Sequence, residues 1–158
     1  MLASVNAVTK ETISKIREQQ TLEAAAAVMP PGVDAGNVEK VGDGIFVGKD
    51  ASGKAAGYAV KGTDPKGYGG NIVLMVGFTP EFKIVSYKKL EAAETPGLGS
   101  NLSNPDFMKQ FSGMDASTDV KVKKDGGEVD AITSATITSR AVCGAINDAK
   151  GKMKGIVK

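Results

Sequence analysis

The stretch Asn71-Ile-Val-Leu-Met-Val-Gly-Phe78 is the strongest structural signal in this sequence. A continuous apolar run of this length, rich in residues that favour strands, predicts a central strand buried on both faces. The short connection Thr79-Pro80-Glu81 follows it, and residues 82–87 then alternate loosely between apolar and polar. This arrangement predicts an antiparallel hairpin, and it makes a sheet the centre of the fold.

Further strands are predicted on either side of this hairpin. Upstream, residues 44–48 and 57–61 are short apolar runs bounded by glycine, and residues 64–67 (Asp-Pro-Lys-Gly) predict a turn. Downstream, residues 119–124 alternate and residues 128–132 return after a glycine turn, which predicts a second hairpin.

Helices are predicted at both ends of the chain. Residues 2–28 carry an apolar stripe at helical spacing, and Pro30 and Pro31 end it. A short helix is expected over residues 105–111 and a longer one over residues 137–152. The fold class is therefore α+β: a mostly antiparallel sheet with an N-terminal helix and a C-terminal helix packed on it.

Composition excludes several kinds of chemistry. The 158 residues predict one domain over residues 1–158. The chain has no histidine and a single cysteine, Cys143, which excludes Ser-His catalysis, an internal disulfide and cysteine-rich metal sites. Net charge is +2 and tryptophan is absent, so no nucleic-acid surface is expected.

The segment Asp130-Ala-Ile-Thr-Ser-Ala-Thr136 precedes the predicted C-terminal helix and places three hydroxyl side chains at its start. Ser and Thr are preferred N-cap residues, so helix capping is one explanation. A helix N-terminus also suits a phosphate group, because its N–H groups are free and its dipole end is positive. The residue types leave both interpretations open.

A second candidate is the loop Glu94-Thr-Pro-Gly-Leu-Gly99. Its proline restricts the backbone, and its glycines allow a ligand to approach the chain closely. An ordinary Pro-Gly turn has the same composition, so the loop alone does not decide between them.

Together these two segments resemble the FMN-binding domain family. Residues 130–136 are similar to its flavinylation motif, which runs Asp, two variable residues, Ser or Thr, a small residue, Ala and the acceptor Thr. Residues 94–99 are similar to its second signature, and residues 71–78 also resemble the family's sequence. Position 134 is Ser, where many members of the family have Gly.

The resemblance implies a covalently bound FMN, joined through a phosphoester to Thr136 by a separate flavin transferase that uses FAD and Mg²⁺. Asp130 and Thr133 would serve in recognition by that enzyme or in shaping the turn, with Ser134 and Ala135 as the small positions beside them. The expected flavin-binding residues in the loop are Glu94, Thr95, Gly97 and Leu98. No catalytic residue and no metal are implied.

The implied function is that of an electron-carrier subunit in a membrane-bound, ion-translocating ferredoxin:NAD oxidoreductase (Rnf) complex. Its partners would be the other subunits of that complex. The resemblance further implies a single N-terminal membrane helix ahead of residues 1–30, lacking in this chain, and a domain on the extracytoplasmic face of the cell membrane. Two alternatives are a flavinylated domain of another extracytoplasmic electron-transfer system and a non-redox extracytoplasmic binding module.

Overall fold

Five strands form one antiparallel sheet in which each strand pairs with its neighbours in the sequence. The structure is a computed structural model that describes residues 2–33, 35–92 and 99–156. The strands are β1 (Val38–Gly42), β2 (Ile45–Lys49), β3 (Ala55–Gly67), β4 (Gly70–Phe78) and β5 (Ile84–Ala92). The predicted hairpin of residues 71–87 is confirmed as β4 and β5.

Strand β4 is buried on both faces, as its apolar run predicts. Ile72, Leu74, Val76 and Phe78 point into the larger core on one side of the sheet, and Met75 points into a smaller core on the other. Because successive side chains of a strand alternate between faces, a run without polar residues requires cover on both sides. Two helices provide it.

The helices are α1 (Leu2–Val28), α2 (Pro105–Met108) and α3 (Thr136–Lys154), with short 3₁₀ turns at Ala35–Asn37, Gly99–Ser103, Lys109–Phe111 and Lys123–Asp125. The last turns of α1 pack on the smaller core through Ala24, Ala25 and Val28. Helix α3 covers the larger core on the opposite face. The α+β class is therefore confirmed. No helix among the described residues is long and apolar enough to cross a membrane.

Helix α2 begins as its sequence predicts. Asn104 caps it by accepting the Asp106 N–H at 2.9 Å, and Pro105 occupies the first turn. Phe107 and Phe111 then form edge-to-face contacts at 5.3 Å, and Phe111 meets Tyr87 at 5.4 Å. This cluster of three aromatic rings fixes residues 107–111 against Tyr87 of β5.

The predicted hairpin over residues 119–124 and 128–132 is wrong. A single bridge joins Val122 to Val129, and a 3₁₀ turn lies between them. Side chains of α3 satisfy this backbone instead: the Asn147 amide bonds both the N–H and the C=O of Val120 at 2.9 Å. The alternation reflects valines buried against α3, not pairing between strands.

The turn predicted at residues 64–67 is also wrong. Strand β3 continues to Gly67, and the chain reverses at Tyr68 and Gly69. Pro65 is tolerated because the register with β4 shifts between Asp64 and Gly67, where no ladder hydrogen bond from its nitrogen is needed.

Candidate functional site

Residues 130–136 form a tight connection that leads from the bridge at Val129 into helix α3. The Ala135 N–H donates to the Ile132 carbonyl at 2.9 Å, which closes a turn around Thr133 and Ser134. Ser134 has φ +60°, in the left-handed region that favours glycine. The turn thus gives a physical reason why the smallest residue suits this position.

Thr136 is the first residue of α3. The residue before it, Ala135, occupies the N-cap position with non-helical backbone angles and has no hydroxyl with which to cap. The interpretation of the hydroxyl cluster as an N-cap is therefore wrong. Thr136 is partly exposed, and its hydroxyl has no hydrogen bond to any residue in the described part of the chain.

The start of α3 is electropositive. The first intrahelical bond runs from the Ser139 N–H to the Ala135 carbonyl at 3.0 Å, so the N–H groups of Thr136 and Ile137 have no acceptor one turn earlier within the helix. No acidic residue lies in the first turn to neutralise the helix dipole. A phosphate ester at Thr136 fits this environment, because both features favour a negative group.

The other motif side chains face solvent. Asp130 is 68% exposed, and Lys123 Nζ lies 2.7 Å from its Oδ1. An exposed ion pair of this kind stabilises the fold by less than about 1 kcal/mol. Thr133 is exposed as well, whereas Ala135 is buried. An exposed carboxylate and hydroxyl so close in sequence to Thr136 suit recognition by another protein.

Two residues outside the motif hold its backbone in place, and the sequence does not predict this role for either. The Gln110 amide bonds the backbone of Asp130, and the buried Ser139 hydroxyl bonds the backbone of Ile132 and Ala135. Gln110 lies 20 positions before Asp130, so no local pattern indicates the contact. In the sequence, Ser139 is indicated only as one of several hydroxyl residues at the start of α3. The structure separates it from Thr133, because Ser139 is buried and Thr133 is exposed.

A shallow groove of about 320 Å³ lies beside the motif. Six of its nine lining residues are polar and one is aromatic; the lining consists of Asn101, Asn104, Asp106, Phe107, Gln110 and residues 130–133. The groove therefore places amide, carboxylate and hydroxyl groups along the first half of residues 130–136.

The loop of residues 94–99 falls largely outside the described residues. The part outside the described residues includes Glu94, Thr95, Gly97 and Leu98, so their assignment to the flavin site stays a prediction. The described chain stops at Ala92, the end of β5, and resumes at Gly99. Soon afterwards Leu102 is fully buried and its carbonyl accepts the Tyr87 hydroxyl.

Cys143 is not a competing attachment site. It is 3% exposed on the inner face of α3, and burial raises the pKa of its thiol to about 12. The protonated thiol is a poor nucleophile. Among residues 2–33, 35–92 and 99–156, no group of His, Cys, Asp and Glu side chains could hold a metal ion.

On the outer side of α3, Arg140 is already paired. Its guanidinium bonds both carboxylate oxygens of Asp125 at 2.8 Å, and these bonds lower the pKa of Asp125. Ile137 is 49% exposed close by, next to a groove of about 410 Å³ that Arg140 and Asp125 also line. The Arg140 charge is therefore balanced within the protein.

Comparison with known proteins places this geometry in a family. The sequence model of the FMN-binding domain family matches residues 67–150, which include β4, β5 and residues 130–136. The G subunit of the ion-translocating oxidoreductase complex of Methanosarcina acetivorans is 32% identical, over 94% of this chain and 83% of that protein. The G subunit of the Na⁺-translocating ferredoxin:NAD⁺ oxidoreductase complex of Acetobacterium woodii is also 32% identical, over 92% and 80%.

Solved structures are similar in fold. NqrC of Shewanella oneidensis aligns with a TM-score of 0.57 and 25% identity, over 70% of this chain and 60% of that one. The C subunit of the Na⁺-translocating NADH-quinone reductase of Parabacteroides distasonis aligns with a TM-score of 0.58 and 26% identity, over 72% and 62%. This chain thus spans about three fifths of each solved relative. Its motif, its fold and its similarity to the G subunits of these complexes agree, and the chain belongs to the FMN-binding domain family.

Proposed function

We propose that this chain is the FMN-carrying electron-transfer subunit of a membrane-bound, ion-translocating ferredoxin:NAD oxidoreductase of the Rnf type. The FMN phosphate is esterified to Thr136 Oγ1. The observation that carries the proposal is the position of Thr136. It is the first residue of a 19-residue helix, its hydroxyl is unbonded among the described residues, and no acidic side chain shares the first turn.

The attachment step is a phosphoryl transfer without oxidation or reduction. Thr136 Oγ1 forms a bond to the phosphorus of the FMN half of FAD, and the pyrophosphate bond to AMP breaks. AMP leaves with the bridging oxygen, and the hydroxyl proton passes to a base of the flavin transferase, which holds FAD and Mg²⁺. The resulting diester keeps one negative charge, which the N-terminus of α3 stabilises by roughly 0.3–1 kcal/mol if exposed.

After attachment, the protein binds and orients its cofactor. When bound, FMN supplies the electron-transfer chemistry, and the residues around it tune that chemistry. Asp130 and Thr133 are exposed beside the acceptor, where we assign them to recognition by the transferase. Glu94, Thr95, Gly97 and Leu98 are proposed to contact the flavin ring.

The partners follow from the relatives. Two of them are subunits of complexes named for ion translocation or for ferredoxin:NAD⁺ oxidoreduction. This chain is proposed to assemble with the other subunits of such a complex on the extracytoplasmic face of the cell membrane. One solved relative belongs to a different redox complex, a NADH-quinone reductase, which supports a second candidate: the same flavin carrier in that kind of complex. The proteins that copurify with the native chain distinguish the two.

The test of attachment compares Thr136→Ala with Thr136→Ser. Each is coexpressed with a flavin transferase, and the denatured protein is examined by intact mass and in-gel flavin fluorescence. Wild type is expected to gain about 438 Da, the mass of FMN less water. Thr136→Ala is expected to gain nothing and to change stability by no more than about 0.5 kcal/mol, because Ala135, not Thr136, occupies the N-cap position.

The conservative variant keeps the hydroxyl, so Thr136→Ser is expected to retain measurable flavin. Covalent flavin on Thr136→Ala would move the acceptor elsewhere, with Thr133 and Thr138 the next residues to test. A wild-type protein without added mass after coexpression would refute the covalent linkage.

A further inference from the structure

Gln110 makes a two-point contact with the proposed acceptor segment, residues 130–136. Its Nε2 donates to the Asp130 carbonyl at 3.1 Å, and its Oε1 accepts the Asp130 N–H at 2.7 Å. Its neighbour Phe111 is fully buried in the aromatic cluster, so the backbone that carries Gln110 is fixed. The amide therefore ties the first residue of the motif to the core.

Ser139 makes a second two-point contact further along the segment. Its buried Oγ accepts the Ile132 N–H at 2.8 Å and donates to the Ala135 carbonyl at 2.9 Å. One hydroxyl thus holds both ends of the turn that contains Ser134. This turn needs such support, because a residue other than glycine at positive φ costs energy that the surroundings must offset.

We propose that Gln110 and Ser139 are positioning residues for flavin attachment. They hold residues 130–135 in the conformation that presents the Thr136 hydroxyl to the transferase. The inference rests on the proposed function, since it concerns the attachment reaction. Holding an acceptor in a reactive geometry before the encounter lowers the entropic part of the barrier, and a displacement of about 1 Å can cost about 10²-fold in rate.

The chain offers a matched control. Asn147 holds Val120 with the same pair of amide bonds, both at 2.9 Å, and is also partly buried. Its contact fixes a different loop, against the middle of α3. Gln110→Met and Asn147→Leu therefore remove equivalent hydrogen bonds, but only the first loosens the acceptor segment.

The experiment measures the initial rate of flavin incorporation into purified, folded chains with transferase, FAD and Mg²⁺. Gln110→Met and Ser139→Ala are expected to lower the rate on the order of 10- to 100-fold. Asn147→Leu is expected to react as wild type does. Ser139→Thr keeps the hydroxyl and is expected to restore most of the rate lost in Ser139→Ala.

Amide hydrogen exchange on chains without flavin gives a second readout. Gln110→Met should speed exchange at the Asp130 amide, and Ser139→Ala should speed it at the Ile132 amide, because each of these amides loses the oxygen to which it donates its hydrogen bond. Asn147→Leu should speed exchange at Val120 alone. If neither Ser139 variant folds, Gln110→Met carries the test, since Gln110 is only half-buried.

The outcomes separate two failures. A wild-type chain that takes up no flavin overturns the proposed function and this inference with it. A wild-type chain that reacts normally, with Gln110→Met and Ser139→Ala as fast as Asn147→Leu or faster, overturns this inference alone. Faster reaction would mean that the transferase needs a mobile acceptor segment.

Discussion

Helix α3 begins at Thr136, the proposed acceptor, and Gly62 of β3 determines how closely that helix sits on the sheet. A Cβ built at Gly62 would lie 2.9 Å from the Ala145 carbonyl carbon and 3.0 Å from the Ala149 Cβ, and closer still to the Ala145 oxygen. Ordinary contacts are 3.4–4 Å. The change Gly62→Ala must therefore push α3 away from the sheet by about 1 Å or more, because the two nearest obstructing atoms, the carbonyl oxygen and carbon of Ala145, are backbone.

The size of the effect follows from two opposing contributions. Overpacking a well-filled site costs about 1–3 kcal/mol, and a backbone obstacle favours the upper part of that range. Replacing glycine returns about 0.4–1 kcal/mol by restricting the unfolded chain. The net loss is about 2 kcal/mol, which lowers Tm by about 4–8 °C for a domain of this length.

The control is Gly151→Ala, in helix α3 itself. A Cβ at Gly151 meets nothing within 4 Å. Alanine there should stabilise the protein by about 0.5–1 kcal/mol, because glycine is a poor helix residue. Thermal and urea unfolding of both variants, followed by circular dichroism, measures the difference. A Tm for Gly62→Ala within about 1 °C of wild type, with Gly151→Ala raised as expected, would refute the tight seating of α3.

Three further predictions concern the site. Ser134→Gly should remove the conformational strain of a serine in the left-handed region, about 1–2 kcal/mol, at the entropy cost of introducing glycine. The net stabilisation should raise Tm by roughly 1–4 °C, and an unchanged or lower Tm would contradict the strain. Leu98→Asp should leave attachment intact but lower the flavin midpoint potential in a redox titration, since a carboxylate near the ring disfavours the anionic reduced flavin; an unchanged potential would remove the loop from the site. Protease treatment of intact cells should degrade the native domain, and protection until lysis would contradict the extracytoplasmic location.

Much of the fold is predictable because its centre is a strong local pattern. The apolar run in β4 requires cover on both faces, and the sequence supplies a helix at each end of the chain. Strand β1 is not predictable in this way, since Val38–Gly42 is short, at the sheet edge and mostly exposed. Edge strands keep only a weak apolar alternation, so pattern alone does not identify them.

The wrong hairpin prediction at residues 119–132 has a physical cause. At residues 119–132, side chains of α3 satisfy backbone groups that a second strand would otherwise have to satisfy. Lys150, 4% exposed, donates to the Thr118 carbonyl and pairs with Asp119. These partners are 31 and 32 positions apart, and no periodicity indicates a contact over that distance.

The acceptor segment shows the same limit at the site itself. Its residue types indicate a phosphate at a helix start, yet they also allow an N-cap, and only the position of Ala135 at the cap removes that alternative. In the turn before α3, Ser134 has φ +60°, a left-handed conformation that costs energy in a residue other than glycine. Gln110 and Ser139 hold the backbone on either side of it. A motif of this kind is therefore recognisable from its own residues, but two of the side chains that hold its backbone lie outside it.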